Sequence, residues 1–225
     1  MIELTPELLF AVGGHRSCYR HPGDPQKCIK VLHEPWQEIG RRIRDPLRHV
    51  RRRVNYDENL SELKSIHKME HKLGKQLQDH FPKAYGMVPT NLGEGLVCDF
   101  ICNADGSPAP TLKSLLWQEG LSDEVQAALD RFWDFLLQHR VIVRNPHPHN
   151  IVIRTTEAGA IEAYLIDGFG RADFLPFVEW FPSLTIRKLK ARRARQKRQI
   201  QKHLKDIQAG ISLKGKGVLL EAGPE

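Results

Sequence analysis

The sequence has few cysteines and no long apolar run, and each shortage excludes a class of protein. Its 225 residues include four cysteines, Cys18, Cys28, Cys98 and Cys102, with no C-x-x-C pair among them. No apolar stretch approaches the roughly 20 residues that a membrane-spanning helix needs, and the N-terminus lacks the basic and apolar regions of a signal peptide. We therefore expect reduced thiols in a cytoplasmic protein without a transmembrane segment.

Acidic residues are missing from one segment near the C-terminus. Between Arg187 and Lys205 there are ten Lys or Arg residues and no Asp or Glu, whereas the whole chain has a formal charge of only +7. This basic tail, from about residue 187, is a candidate surface for nucleic acid or an anionic membrane. Its apolar residues form no continuous face, so the plainer alternative is a solvated basic helix that packs on an acidic body. A second Arg-rich run covers residues 40–53.

The remainder of the chain has the pattern of a mixed α and β protein. The first third predicts short, turn-separated strands of an antiparallel sheet, and the run "KCIKVL" places Lys30 on the opposite face from its neighbours. Apolar residues recur at three- and four-residue steps from about Asp57 to His80, and again over Ser122–His139, where Ser122 is a suitable N-cap. A first β-hairpin is predicted with its turn at residues 92–95.

A second predicted hairpin, on either side of "TTEAGA", brings two polar residues together. Asn150 directly precedes the strand "IVI", and Asp167 follows the strand "AYLI". Because the two strands of a hairpin run antiparallel, Asp167 returns to the neighbourhood of Asn150. Amide and carboxylate oxygens are ligands of Mg²⁺, and phosphoryl transfer depends on such ligands and on a cation near the phosphates. The pattern predicts a metal–nucleotide site.

Three short stretches resemble motifs of protein kinases. In "RNPHPHN", Arg144 and Asn150 stand where the kinase loop H-R-D-L-x-x-x-N has its Arg and Asn, and in "DGFG" Asp167 stands where D-F-G has its Asp. The run "CIKV" resembles the kinase strand V-A-I-K. This resemblance implies that Lys30 contacts the α- and β-phosphates of ATP and that Glu62, on the following helix, is its ion-pair partner.

A more specific resemblance extends over roughly residues 10–195. The stretches "CYRHPGDPQKCIKV", "GEGLVCDFI" and "IDGFG" followed by "FLP" resemble the PhoP-regulatory-network (YrbL-type) family, a bacterial group with a truncated kinase-like fold. The resemblance implies an α+β, two-lobed fold. Residues 1–100 would form a small lobe of antiparallel sheet plus one helix, and residues 101–225 a shortened helical lobe. The implied cofactors are ATP and Mg²⁺, bound in the cleft between the lobes.

The chain also departs from the kinase pattern. Asn145 stands at the position of the catalytic Asp, and an amide cannot accept a proton near neutral pH. A positioned general base contributes about 10²–10⁴ in rate, so Asn145 predicts weak or altered transfer unless His147 or His149 substitutes. The Gly-rich loop is reduced to Gly13 and Gly14, and no A-P-E segment follows, which leaves little room for a peptide-substrate platform.

Three functions are compatible with these patterns. The first is a kinase-like ATP- and Mg²⁺-binding protein with a degenerate catalytic loop, whose acceptor is unidentified. The second is a non-catalytic, pseudokinase-type regulatory module that binds a protein partner in an envelope or stress-response network linked to PhoP, which rests on the resemblance alone. The third is binding of nucleic acid or an anionic surface through residues 187–205. Glu58 and Glu70 rival Glu62 as partners of Lys30.

Overall fold

Five antiparallel strands form the larger sheet of the protein, in the order β1-β2-β3-β5-β4. The computed structural model describes residues 1–33, 57–169 and 181–211, so the Arg-rich run at 40–53 lies outside the described residues. The strands are β1 (Leu9–Val12), β2 (Arg16–His21), β3 (Asp24–Leu32), β4 (Ala84–Thr90) and β5 (Gly93–Asp99).

Strand β3 has two different faces, as the sequence predicts. Ile29 and Val31 are buried in a small apolar cluster that also contains Leu4 and Val97. Lys30 lies on the opposite face, because successive side chains of a strand alternate, and it is only 6% exposed. A lysine on this face is therefore inside the protein rather than in solvent.

One helix, α1 (Glu58–Leu73), accompanies the sheet. Asp57 caps it by accepting a hydrogen bond from the backbone N–H of Leu60, as expected of an N-cap carboxylate. The helix ends earlier than the predicted position at His80, because Gly74 adopts a φ of 59° and the chain continues as a 3₁₀ helix over Gly74–Asp79. Positive φ is accessible to glycine at little cost.

The turn between β4 and β5 differs from the prediction. It lies at Asn91 and Leu92, where the hydroxyl of Thr90 accepts from the N–H of Leu92 and donates to the carbonyl of Gly93. Gly95, predicted in the turn, is instead inside β5. A Cβ at Gly95 would lie 2.5 Å from Cγ2 of Ile29, so close packing between strands explains the glycine there.

The second half of the chain is mainly helical and contains the predicted second hairpin. The hairpin consists of β6 (Ile151–Thr155) and β7 (Ile161–Leu165), which pair antiparallel. Three helices surround it: α2 (Leu112–Gln118), α3 (Asp123–His139) and α4 (Pro182–Gln208). The hydroxyl of Ser122 caps α3 by accepting from the N–H of Val125, which confirms that cap.

The fold class is α+β, as predicted, and one hydrophobic core runs through it. This core includes Ile66 of α1 and Phe81 as well as Phe132 of α3 and Ile151 of β6. This core contains residues from both sides of residue 100, so it does not test the boundary between the two predicted lobes. That boundary stays a prediction. Among residues 1–33, 57–169 and 181–211, no helix has the length and apolar character needed to cross a membrane.

Helix α4, which contains the basic tail, is part of the core. Leu189 and Ile200 are buried in it, and buried Gln196 lies between them in the helical stripe. Gln196 accepts from the indole N–H of Trp133 at 2.7 Å and donates to the carbonyl of Pro146 at 2.7 Å. The buried face of α4 thus consists of Leu189 and Ile200 with the hydrogen-bonded side chain of Gln196 between them. This is why the apolar residues of the segment alone form no continuous face.

Candidate functional site

A cavity of about 360 Å³ lies between the five-stranded sheet and the loop that precedes β6. This volume is within the range of small-molecule sites. Its lining includes the predicted residues Lys30, Glu62 and Asp167, together with Asn145 and Asn150. The turn residues Gly13 and Gly14 and the loop residue Arg144 line it as well. The fold therefore brings to one cleft all eight residues that the sequence singles out.

Lys30 and Glu62 form a buried ion pair in this cleft. The Nζ atom of Lys30 lies 2.7 Å from Oε1 of Glu62 and donates a second hydrogen bond to the carbonyl of Ile166 at 2.7 Å. Burial alone would lower the pKa of Lys30, but the charge of Glu62 outweighs it and raises that pKa above its ordinary value. Lys30 is therefore a permanently charged cation in the wall of the cavity.

The geometry of α1 decides between Glu62 and its rivals. Glu58 lies one turn earlier and contacts His15 at 3.0 Å, and Glu70 accepts from Gln78. Asn59 also faces the sheet, and its side-chain N–H donates to the carbonyl of Lys30 at 2.8 Å. The side chain of Asn59 thus fixes α1 against β3 and aligns Glu62 with the lysine.

The second hairpin returns Asp167 to the loop, as predicted. The backbone N–H of Ile166 donates to the carbonyl of Asn150 at 2.9 Å, so the residue before Asp167 is bonded directly to Asn150. The side-chain N–H of Asn150 donates to the carbonyl of Asn145 at 2.9 Å. The amide of Asn150 is held by the loop, and its Oδ1 is the atom with metal-ligand chemistry.

Gly168 connects Asp167 to the loop through a close backbone contact. Its carbonyl accepts from the N–H groups of Arg144 at 2.8 Å and Asn145 at 3.3 Å. Its φ is 83°, and a Cβ there would lie 2.8 Å from the carbonyl oxygen of Asn145. Only glycine suits both requirements. The aromatic ring of Phe169 follows in the core, 5.9 Å from the ring of Phe81.

Arg16 is the cleft residue that sequence reasoning misses. It is the first residue of β2 and is 7% exposed. Its Nη1 lies 2.6 Å from Oε2 of Glu62, and its Nη2 lies 2.6 Å from Oδ1 of Asp167. The kinase motifs compared above do not include this arginine, and the only signal in the sequence was a basic residue two positions after Gly14.

The electrostatics of Asp167 follow from Arg16. Burial would raise the pKa of this carboxyl, but the charges of Arg16 and then Lys30 outweigh it and lower the pKa to about 2. The side chain of Asp167 is 49% exposed, so solvent screens these interactions in part. Asp167 is an ionised carboxylate whose charge is already neutralised by a guanidinium.

Of the remaining loop residues, His147 lies towards α4, whereas His149 also lines the cavity. The rings of His147 and His149 stack with centroids 5.4 Å apart, and Nδ1 of His147 is within hydrogen-bond distance of Gln199. Two histidines supply half of a tetrahedral zinc site, and the described part of the chain holds no cluster of three or more His, Cys, Asp or Glu side chains suited to a metal. All four cysteines are free thiols.

The sequence pattern of the family described as "PhoP regulatory network protein YrbL" matches residues 2–204. The chain belongs to this family. The YrbL proteins of Escherichia coli (strain K12) and Shigella flexneri are each 25% identical to it over 193 residues, which cover 84% of this chain and 82% of theirs. The family expected from the Tyr-x-His-Pro and Cys-Ile-Lys-Val stretches is therefore confirmed.

One solved structure has a weaker similarity to the chain. The crystal structure of a mutant of the PknI kinase domain from Mycobacterium tuberculosis is 14% identical, and the match covers 75% of this chain with a TM-score of 0.40. This chain spans 64% of that kinase domain. Two features of the cleft itself resemble a kinase: the Lys30–Glu62 pair and the hairpin that brings Asp167 to Asn150.

The donor atoms suit magnesium only in part. One amide oxygen and one carboxylate are the expected ligand types, and Asn150 and Asp167 supply them. Oδ1 of the Asp167 carboxylate, however, is engaged by Arg16 at 2.6 Å, so a metal would bind that oxygen only by displacing the guanidinium. Nucleotide phosphates fit the site better, because two buried cations line a cavity of sufficient volume.

Proposed function

We propose that the cleft binds a nucleoside triphosphate such as ATP and transfers its phosphate slowly or not at all. The observation that carries this proposal is the buried Lys30–Glu62 pair in the wall of a cavity of about 360 Å³. Stability alone does not account for such a pair, because replacing buried ions by apolar residues is often neutral or stabilising. A fixed, permanently charged amine is suited to phosphate oxygens.

The loop of Arg144, Asn145 and Asn150 supports binding better than chemistry. Asn145 lines the cavity at the position where a kinase has its proton acceptor, and its amide has no basicity near neutral pH. The turn at Gly13 and Gly14 is closed by a hydrogen bond from the N–H of Gly13 to the carbonyl of Arg16 at 2.7 Å. We infer that this turn lies over the phosphates.

Nucleotide binding without a proton acceptor favours a regulatory role. The family name places these proteins in the PhoP regulatory network, and we infer that nucleotide occupancy of the cleft changes the affinity for a protein partner. Cytoplasmic location belongs to the same proposal, since the nucleotide is available there.

Thermal unfolding with and without ATP tests nucleotide binding. Ligand at about 100 times its dissociation constant stabilises the folded state by about 2.7 kcal/mol. We expect this shift in the wild type and its loss in Lys30→Met. Lys27→Met is the matched control, because Lys27 lies on the same strand, pairs with Asp24 and is outside the cavity lining. A shift that survives in Lys30→Met, or is absent from the wild type, would overturn the assignment.

A second candidate function uses the outward face of α4. Its exposed cations lie on the side of the helix opposite buried Leu189, Gln196 and Ile200, and they are Arg187, Lys190, Arg195, Lys197, Arg198, Lys202 and Lys205. At 1.5 Å per residue the face is about 27 Å long. We propose that it contacts a polyanionic surface by electrostatics alone, because its apolar residues form no continuous exposed face and base-stacking aromatics are missing from it.

Charge removal tests this face better than truncation, since deletion of α4 would expose the core. Arg195→Gln/Arg198→Gln/Lys202→Gln is compared with Lys64→Gln/Lys75→Gln/Lys83→Gln, three exposed cations outside α4. Binding of duplex DNA and of phosphatidylserine vesicles is measured at rising salt, where affinity for DNA falls with a log–log slope of about −0.9 per neutralised phosphate. Equal binding by both triple variants would remove this candidate.

A further inference from the structure

Arg16 contacts the carboxylate that a divalent metal would need as a ligand. Its guanidinium joins the two carboxylates of the site, with Nη1 at 2.6 Å from Glu62 and Nη2 at 2.6 Å from Asp167. Asp167 is the carboxylate that the kinase pattern assigns to the metal. In this protein an arginine, which carries a fixed charge, neutralises that carboxylate.

The charges around Arg16 are balanced without a metal. Two cations, Arg16 and Lys30, face two carboxylates, Glu62 and Asp167, and each oxygen of Glu62 contacts one cation. Further charged residues line the rest of the cavity: Glu58, Asp99 and Arg144. A divalent ion bound through Oδ1 of Asp167 would separate Arg16 from this oxygen and add two positive charges beside two buried ones. Like charges at short distance disfavour one another, more so where water is partly excluded.

The position of Arg16 is built into the fold. Its backbone carbonyl closes the Gly13 turn at 2.7 Å, and its Nη1 also donates to Oδ1 of Asn59 at 3.2 Å. Its side chain is therefore held from β2 and α1 together. A guanidinium fixed in this way has its donors oriented before a ligand arrives, which lowers the entropy lost on binding.

We propose that Arg16 takes the place of the divalent metal, so that the cleft binds the phosphates of a nucleotide without Mg²⁺. This inference rests on the proposed nucleotide site. A guanidinium recognises phosphate and carboxylate oxygens with the same forked geometry. An incoming phosphate oxygen therefore replaces Oδ1 of Asp167 at Nη2, the half-exposed Asp167 carboxylate turns to solvent, and Glu62 stays bonded to Nη1.

The experiment measures the affinity for a fluorescent ATP analogue in excess EDTA and in millimolar Mg²⁺. The proteins are the wild type, Arg16→Gln and Arg20→Gln. Arg20 is the matched control: it lies on the same strand, contacts the ring of Phe100 at 5.0 Å and is not among the residues that line the cavity. The wild type and Arg20→Gln are expected to bind equally well in both buffers.

Arg16→Gln is expected to bind about 10- to 100-fold more weakly in EDTA, the loss typical of one hydrogen bond to a charged group. Addition of Mg²⁺ is expected to restore part of this affinity, because Asp167 is then free to hold the metal. A wild type whose affinity falls tenfold or more in EDTA would overturn the inference and leave the nucleotide site intact. Absence of binding in both buffers would overturn the inference and the nucleotide site alike.

A double variant covers the outcome in which Arg16→Gln does not fold. Arg16→Gln/Asp167→Asn removes one cation and one carboxylate, so the net charge of the cleft is unchanged and Glu62 keeps its contact with Lys30. It is expected to bind weakly in both buffers, because it lacks the guanidinium and the metal ligand alike. Wild-type affinity in EDTA for this variant would show that Arg16 does not contact the phosphates.

Discussion

The two walls of the cleft differ in how firmly their polar groups are held. On the sheet side, Arg16, Lys30 and Glu62 are each less than a tenth exposed and paired at 2.6–2.7 Å. On the loop side, Arg144 is exposed and the side chain of Asp167 is 49% exposed. The sheet-side wall is buried and charged, whereas the loop-side wall has Asn145 where a kinase has its proton acceptor. Under the proposed function, binding and catalysis are therefore separable in this fold.

The largest expected effect comes from breaking the sheet side at Glu62. Glu62→Gln leaves Lys30 and Arg16 buried without a full countercharge, and removing one partner of a buried ion pair costs about 3–5 kcal/mol. Urea unfolding measures this loss. Glu58→Gln, one turn away in a partly exposed contact with His15, should cost only about 0–1 kcal/mol. Equal losses in the two variants would contradict the central role of Glu62.

The loop side is broken most directly at Gly168. Gly168→Ala combines an unfavourable φ of 83° with a contact of 2.8 Å to the carbonyl of Asn145, whereas Gly159→Ala has a φ of 76° and no atom within 4 Å. The backbone conformation alone costs about 1–2 kcal/mol in each. We expect Gly168→Ala to be the less stable of the two in urea unfolding and to bind nucleotide more weakly. Matching stabilities would mean that the approach to Asn145 is unimportant.

Helix α4 contacts the loop side of the cleft through Gln196, which donates to the carbonyl of Pro146. Gln196→Ala leaves the indole N–H of Trp133 and the carbonyl of Pro146 without this partner, and each unsatisfied buried group costs about 1–3 kcal/mol. Gln201→Ala, exposed on the same helix, is expected to lie within about 0.5 kcal/mol of the wild type. Thermal unfolding compares the stabilities of the two variants. A Gln196→Ala variant as stable as the wild type would show that the contacts of Gln196 do not support the loop.

The smallest effect is a pH dependence at His80, which contacts the carbonyl of Ala163 in β7. Burial lowers the pKa of this imidazole below its ordinary value of 6.5. The unfolded state therefore binds a proton first as the pH falls, so stability declines below about pH 6.5. In urea unfolding measured across pH, His80→Gln should lose less stability than the wild type as the pH falls. An equal loss of stability in the two proteins would mean that other groups cause the decline.

The parts that sequence anticipates are those fixed by local pattern. Alternation on β3 predicts that Lys30 lies on the face opposite Ile29 and Val31, although it does not say which face is buried. The antiparallel hairpin predicts that Asp167 meets Asn150. Arg16 is different, because its role depends on how β2, α1 and the residues after β7 meet in space. The burial of Thr185 and Gln196 on α4 is also difficult to predict from sequence. A buried helical face is recognised by its stripe of apolar residues, and these two polar residues interrupt that stripe.

The most direct test of the account is phosphoryl-transfer turnover at saturating ATP, in the wild type and in Asn145→Asp. Kinases turn over at about 1–100 per second, and a missing base is worth about 10²–10⁴ in rate. We predict a wild type at least about 100-fold below that range, and a faster Asn145→Asp variant with unchanged nucleotide affinity. A wild-type rate within the kinase range would contradict the claim that this cleft keeps binding and lacks the base.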